Sequence, residues 1–495
     1  MSLEEAAVAT NRFGLGARPG EMKLVAADPR GWLKQQLTPE KSLPAPMAQL
    51  PTTVAASGEF VKWLVGLGLA GKQGANIAKL YQNGGRPADM TGGGQMGATG
   101  AAGGAQPLSV EQSYIKYFGP GYADGVEARF LTATTSERPF FERLSRFWAN
   151  HFTISAAKPE IIALAPIFER DVVRPHVCGR FEDMLLASCR HPGMLQYLDN
   201  YLSIGPNSPL AHHPEYLPAY LRERMKGLNE NLGRELLELH TLGVRSGYTQ
   251  TDVTTLAKII TGWSIYGPNQ APASGDMFHY IDFAHEPGPQ TLLGKTYPAE
   301  GEDQGRFALK DLARHPATAK HLATKLARHF IADEPPPAAV DRIAAAYSGS
   351  GGDLAVTATA LVESPEAWAS PATKLKTPDD YLVSTVRALN GPPLKGQALV
   401  ALLDRMGQRP FWPPGPDGWP DIQDGWIAAD AVWKRLEWAS TLGQGYAAAN
   451  IDPATIAELA LGPDMSADTR QAIHAAESPA QGLAMFLVSP DFQRR

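Results

Sequence analysis

Glu235 and Glu238 stand three residues apart in the segment Asn229-Glu-Asn-Leu-Gly-Arg-Glu-Leu-Leu-Glu-Leu-His-Thr-Leu-Gly243. At about 100° per residue, Asn231, Glu235 and Glu238 fall within about 60° of one another and form one polar stripe on a helix. Leu232, Leu236 and Leu239 lie on one side of that stripe and Leu237 on another, a pattern typical of a buried helix. Two carboxylates at this spacing inside a protein repel each other unless a cation or a shared proton separates them. Such a pair suits general acid or base work or metal ligation. Arg234, one turn before Glu238, supplies the structural answer, a plain Arg–Glu network. Both readings stay open.

The di-iron carboxylate pattern needs Glu-x-x-His with both side chains projecting inward. Here Glu235 is followed by Glu238 and Glu238 by Thr241, while His240 points roughly opposite the stripe. A divalent metal on Glu235 and Glu238 would therefore draw ligands from elsewhere, with His151 and His285 as the natural donors. His151 closes Trp148-Ala-Asn-His-Phe152 beside Asn150, and a core histidine is its structural reading. His285-Glu286 ends Met277–Glu286, the one segment resembling a strand or extended loop. His321, Lys325 and His329 share a helical stripe that reads most simply as a solvated face. Phe411, Trp412, Trp419 and Trp426 alternate with Pro413, Pro414, Pro416 and Pro420. Rigid aromatics on such a loop stack over a pocket mouth or pack as a lid on the core.

The elements that must position these residues are helices. Glu137–Phe152 repeats aromatics at helical spacing, and Ala165–Ala187 continues the pattern. Gly243 stops the acidic helix, and Thr249-Gln-Thr-Asp252 reads as a capping box for the next one. His315-Pro316 opens another, with Leu322, Leu326 and Phe330 on one face. Gly349-Ser-Gly-Gly352 is a helix–helix connection. The expected fold is mainly α, a large multi-helix single domain with long loops and little or no β. Residues 1–82 form its N-terminal helical part, and 108–495 the main helical part of the same fold. Between them, 83–107 is a flexible insertion, because Gly84–Gly104 has too little apolar surface to fix its conformation.

Composition excludes several classes. A net charge of −6 over 495 residues rules out a strongly basic nucleic-acid binder. Two cysteines, Cys178 and Cys189, exclude a disulfide framework and a Cys-rich metal site. The longest apolar runs, such as Ile161–Phe168, fall far short of the ~20 residues of a membrane helix. Nothing at the N-terminus reads as a signal peptide, so the expectation for the chain as written is cytoplasmic, or periplasmic or secreted if a leader has been trimmed. No nucleophile elbow, HExxH helix, phosphate-binding loop or dinucleotide fingerprint occurs.

Taken together, Asn11-Arg-Phe-Gly-Leu-Gly16, Trp32-Leu-Lys-Gln-Gln-Leu37, Trp148-x-Asn-His-Phe152, Arg174-Pro-His176 and His191-Pro-Gly-Met-Leu-x-Tyr-Leu-Asp-Asn200 form a pattern. It continues through Asn229–Gly243 and Gly247-Tyr-Thr-Gln-x-Asp-Val253 to Thr261-Gly-Trp263, then His315-Pro-Ala-Thr-Ala319, Lys325–Phe330 and Gly418-Trp-Pro420. Apart from Gly84–Gly104, the chain resembles over nearly its full length the large bacterial family of unknown function DUF1800. That resemblance implies a largely helical fold, frequent export, and a sulfatase-like protein encoded nearby as a partner. It implies no activity, cofactor or catalytic residue. Here no export signal is seen, and Glu286 follows His285 where Asp is more usual.

The expected function is an enzyme, a hydrolase or a metal-dependent one, with substrate undefined. His151, Glu235 and Glu238 are its expected catalytic groups, and Asn150, Asn229, Asn231, Arg234, His240, Trp412 and Trp419 its pocket. His151, Glu235, Glu238 and His285 are the candidate ligands of a divalent metal. The alternative is a non-catalytic helical scaffold or partner-binding protein, whose acids pair with Arg234, Arg174 or Arg146.

Overall fold

Proline and small polar residues set where many of the helices begin. Pro139, Pro316 and Pro378 each sit in a first turn, where the missing N–H breaks no helical bond. Thr249 and Asp252 cap reciprocally, as the capping box requires, and start the helix Gln250–Ile259. The computed structural model describes residues 2–66, 110–217, 227–267, 270–369, 372–446 and 452–495, together with 222 and 225. The expected flexible stretch Gly84–Gly104 lies outside the described residues.

The result is a mainly α single-domain fold. Among the described residues, the named strands are four of three residues each. Trp263–Ile265 (β1) pairs antiparallel with Phe278–Tyr280 (β2), and Gln290–Leu292 (β3) with Lys295–Tyr297 (β4). The extended reading of Met277–Glu286 thus holds for its first half. No helix among the described residues is long and apolar enough to cross a membrane.

At the centre lies the aromatic helix Pro139–His151, buried around nearly its whole circumference. Phe140 meets Phe13 edge-on at 5.6 Å and Phe330 at 5.7 Å, which ties the N-terminal segment and the helix Pro316–Phe330 to it. One hydrophobic cluster runs from Ala6 to Phe492. The same central helix also buries Glu142, Arg143 and Arg146, and buried charge is tolerable only when paired. Distant elements supply the partners. Arg174 meets Glu142 at 2.8 Å, Asp380 meets Arg143 at 2.9 Å, and Asp379 pairs with Arg146.

Three local expectations change. The segment Ala165–Ala187 is not one helix: Pro175 and Gly179 break it into short turns before Phe181–Arg190. Cys178 therefore sits in a turn, and both cysteines are free thiols. The acidic helix starts at Asn231 rather than Asn229, and after Glu235 it widens into π turns over Leu236–His240. Thr241 Oγ1 donates to Leu236 O, five residues back, at 2.5 Å, and Gly243 at φ +90° ends the element. Finally, the stripe His321, Lys325 and His329 is turned inward rather than solvated. Burial is the main force lowering the proton affinity of all three.

Candidate functional site

Arg143, Arg146 and Asn150 follow one another at i, i+3 and i+7 on the aromatic helix, so they share a face. Opposite them, Thr377 caps the helix Pro378–Leu389 and places Asp379 and Asp380 in its first turn, where the helix dipole favours carboxylates. The Pro/Trp loop roofs the gap. Asn150 grips it at two points: its Nδ2 donates to Trp419 O at 2.9 Å, and Trp419 N–H donates to its Oδ1 at 2.8 Å. Ala156 N–H donates to Phe411 O at 2.8 Å, Ser155 Oγ to Pro413 O at 3.0 Å, and Tyr122 hydroxyl to Pro410 O. Beneath the loop lies a cavity of about 110 Å³, lined by charged side chains together with Ala149, Ile154, Leu403 and Phe411.

Its charges are shared unevenly. Asp379 Oδ2 accepts from Arg129 Nη1 at 2.7 Å and also from Arg146 Nη1, while Glu169 holds Arg129 Nε at 2.6 Å. Asp380 lies between Arg143 at 2.9 Å and Arg495 at 3.2 Å. Burial alone would raise the Asp380 carboxyl, but Arg143, Arg495 and His329 outweigh it and hold it far below the carboxylate range. Burial lowers the Arg146 guanidinium; Asp379 opposes the shift and Arg129 adds to it. Arg146 Nη2 is buried without a hydrogen-bond partner among the described residues.

His329 completes the wall. Its Nδ1 lies 3.2 Å from Asp421 Oδ1. A carboxylate only accepts, so Nδ1 carries the hydrogen and Nε2 is the lone-pair nitrogen of the neutral ring. Nε2 is buried and has no partner among the described residues. Burial, and next the charge of Arg495, lower the His329 pKa to about 4, although Asp421 pulls the other way. The imidazole is therefore neutral at pH 7.

The residues singled out in the sequence separate into three places. Asn150 and Trp419 meet at the cavity, while Trp412 packs outside it under the Arg409 guanidinium, 4.0 Å from its ring centroid. His151 and His240 meet in the core, with ring centroids 5.9 Å apart, and His151 Nε2 bonds to His240 O at 3.1 Å. Burial leads the lowering of both, well below the ordinary value for His151 and to about 3 for His240, with Lys325 and His321 adding to it.

Glu235 and Glu238 are half-buried on the acidic helix, and Arg234 reaches Glu238 at 3.5 Å. Glu235 has no ion pair or hydrogen bond among the described residues. Burial, reinforced by Glu238 and opposed by Arg234, pushes it up to about 7. Asn229 Oδ1 accepts from Asn231 N–H at 2.9 Å, a turn-forming role, and Asn231 is exposed. Arg174 and Arg146, suggested as partners for these acids, pair with Glu40, Glu142 and Asp379 instead.

His285 belongs to none of these groups. Its Nδ1 is held by Thr261 O at 2.9 Å, and the neighbouring Glu286 closes on Asn207 at 2.6 and 2.8 Å. Among the described residues no group of three or more His, Cys, Asp or Glu is placed to hold a metal ion. Of the expected ligands, His151 is held by His240 O, His285 by Thr261 O, and Glu238 pairs with Arg234.

Sequence reasoning missed Arg129, Glu169, Asp379, Asp380, His329 and Asp421. A usable signal existed for His329, because Ala323, Ala327, Leu326 and Phe330 around it are all apolar and all buried. The acids and arginines gave no such signal, since they pair across the whole chain.

No curated protein and no solved structure matches the chain. A family model described as "Protein of unknown function (DUF1800)" matches residues 8–494. With nearly its whole length matched, the chain belongs to the DUF1800 family.

Proposed function

We propose that the protein is an enzyme of the hydrolase type that works by general acid–base catalysis on a small polar molecule in the cavity under the Pro/Trp loop. The observation that carries this reading is His329 Nε2, a buried and unpartnered lone pair on a residue that lines the cavity, fixed in its tautomer by Asp421. A carboxylate behind an imidazole holds both its orientation and the imidazolium formed on proton uptake. In the proposed step a bound water gives its proton to Nε2 as its oxygen attacks a carbonyl carbon. Arg146 Nη2 donates to the carbonyl oxygen as it becomes negative. The imidazolium then returns the proton to the leaving group.

A pure scaffold would close every buried acid with an arginine and leave no cavity. The cavity and the unpaired Glu235 favour the enzyme reading over it. The test is turnover of a panel of small esters, lactones and amides followed by NMR, in wild type and His329→Gln. Glutamine keeps a donor toward Asp421 but cannot take up a proton. At least one compound should be hydrolysed by wild type and about 100-fold more slowly by the variant. Hydrolysis at equal rates in both proteins, or none in either, would sink the reading.

A further inference from the structure

His329 offers a lone pair at Nε2 only while Asp421 holds its Nδ1–H, so the groups that hold Asp421 bear on the same ring. Asp421 sits in a bend of the Pro/Trp loop, outside any helix or strand. A loop carboxylate is placed by whatever fixes its backbone. Two contacts do so within three residues. Asp421 O accepts from Lys374 Nζ, and Gln423 N–H donates to Asp333 Oδ2 at 2.9 Å. Lys374 Nζ also donates to Asp333 Oδ1, so both contacts close on one ion pair.

That pair is tied to His329 as well. Asp333 follows closely on the end of Pro316–Phe330, the helix that carries His329, and Asp333 O accepts from Arg328 Nε at 3.3 Å. Lys374 is 3% exposed, and its backbone O accepts from Arg495 N–H at 2.9 Å. A buried ammonium is costly without partners, and here its donors go to a carboxylate and a carbonyl. Lys374 and Asp333 thus fix the loop backbone at Asp421 against the helix end next to His329.

We infer that Lys374 and Asp333 are positioning residues, which hold Asp421 against His329 and so keep the ring in the Nδ1–H tautomer with its lone pair on Nε2. For its bearing on turnover, this assignment rests on His329 being the acid–base group proposed above. Two other rings supply references for the two tautomers. His176 Nδ1 donates to Val172 O at 2.7 Å, which leaves the lone pair on its Nε2. His191 Nδ1 accepts from Gly193 N–H at 3.0 Å, which puts the hydrogen on its Nε2.

The experiment is nitrogen NMR of isotope-labelled histidine rings in the full chain at about pH 8, where an ordinary imidazole is neutral. His329→Gln assigns the His329 signal by its loss. Wild-type His329 should match the His176 pattern. In Lys374→Met its ratio of Nδ1–H to Nε2–H form should fall at least about ten-fold, the worth of a hydrogen bond to a charged group, while His176 and His191 stay as they are. Gln423→Pro should shift it the same way. That change removes one amide donor at the first residue of a short turn, where proline is tolerated after an already extended Ile422. It decides alone if Lys374→Met does not fold. A His329 signal that is unchanged in either folded variant, that moves together with His176 and His191, or that shows the His191 pattern in wild type overturns the assignment. A tautomer shift without hydrolysis of any compound in the panel keeps the positioning role and removes the catalytic reading. His329-dependent hydrolysis with an unmoved tautomer does the reverse.

Discussion

Glu235 keeps a carboxyl half-buried beside a second carboxylate, and at neutral pH this works against folding. Its pKa of about 7 lies above the ordinary 4.5, so the folded chain holds a proton that the unfolded chain releases. Stability is therefore lost as pH rises from about 4.5 to about 7 and changes no further above that. Glu235→Gln removes the ionisation and keeps the shape. It should stabilise the protein at pH 8 by on the order of 1 kcal/mol, a figure reduced for the solvent that reaches the side chain. Near pH 4 it should change nothing. Urea denaturation at the two pH values measures the difference, and an equal effect at both would mean that Glu235 is not held protonated. Tyr197, raised to about 12 first by burial and then by Glu235 and Asp417, places the Pro/Trp loop within electrostatic reach of this acid.

The roof over the cavity depends on how closely the Pro/Trp loop meets the aromatic helix. Gly418 has φ +82°, a left-handed conformation, and a β-carbon there would lie 2.6 Å from Asn150 O and 2.8 Å from Thr153 Oγ1. Gly418→Ala should therefore cost about 2–4 kcal/mol and push the loop off Asn150. Hydrogen exchange at the Trp419 amide reports it directly: protection should fall there first, while the aromatic helix stays protected. Uniform loss of protection would place the strain in the core instead. The sequence showed that this loop is stiff and aromatic. It did not show what the loop covers, because Asn150 and Trp419 are 269 residues apart. Local signals did better on the acidic helix and its successor, where Gly243 and the Thr249 capping box act within a few residues. The π turns over Leu236–His240 were not legible, since a helical wheel assumes one uniform angle.

Among the described residues, burial lowers the proton affinity of six histidines, and that of five of them, all but His279, farthest. His151 lies well below its ordinary value, His191, His321 and His329 near 4, and His240 near 3. Unfolded, each takes up a proton as pH falls through about 6.5, whereas the folded protein refuses it until far lower pH. Stability should thus hold above pH 7 and fall steeply between about 6.5 and 5, by about 1.4 kcal/mol per pH unit for each excluded proton. Glu235 opposes this with a single proton. Urea midpoints at pH 7, 6 and 5 test it, and His240→Gln should lower the slope by one proton's worth. A flat profile down to pH 5 would mean that these rings are charged in the folded state.

What the sequence determined by itself is the helical class, a few helix starts and stops such as those at Thr249 and Pro316, and the family pattern. These rest on caps, prolines and apolar periodicity acting over a few residues. Tertiary structure alone decided which charges share a wall. Arg129 meets Asp379 across 250 residues and Arg143 meets Asp380 across 237. The same packing turned His329 inward onto Asp421 and left Glu235 half-buried beside Glu238. Burial converts an ordinary Arg, Asp or His into a chemical group of altered proton affinity, and burial belongs to the packed whole rather than to any stretch of the chain.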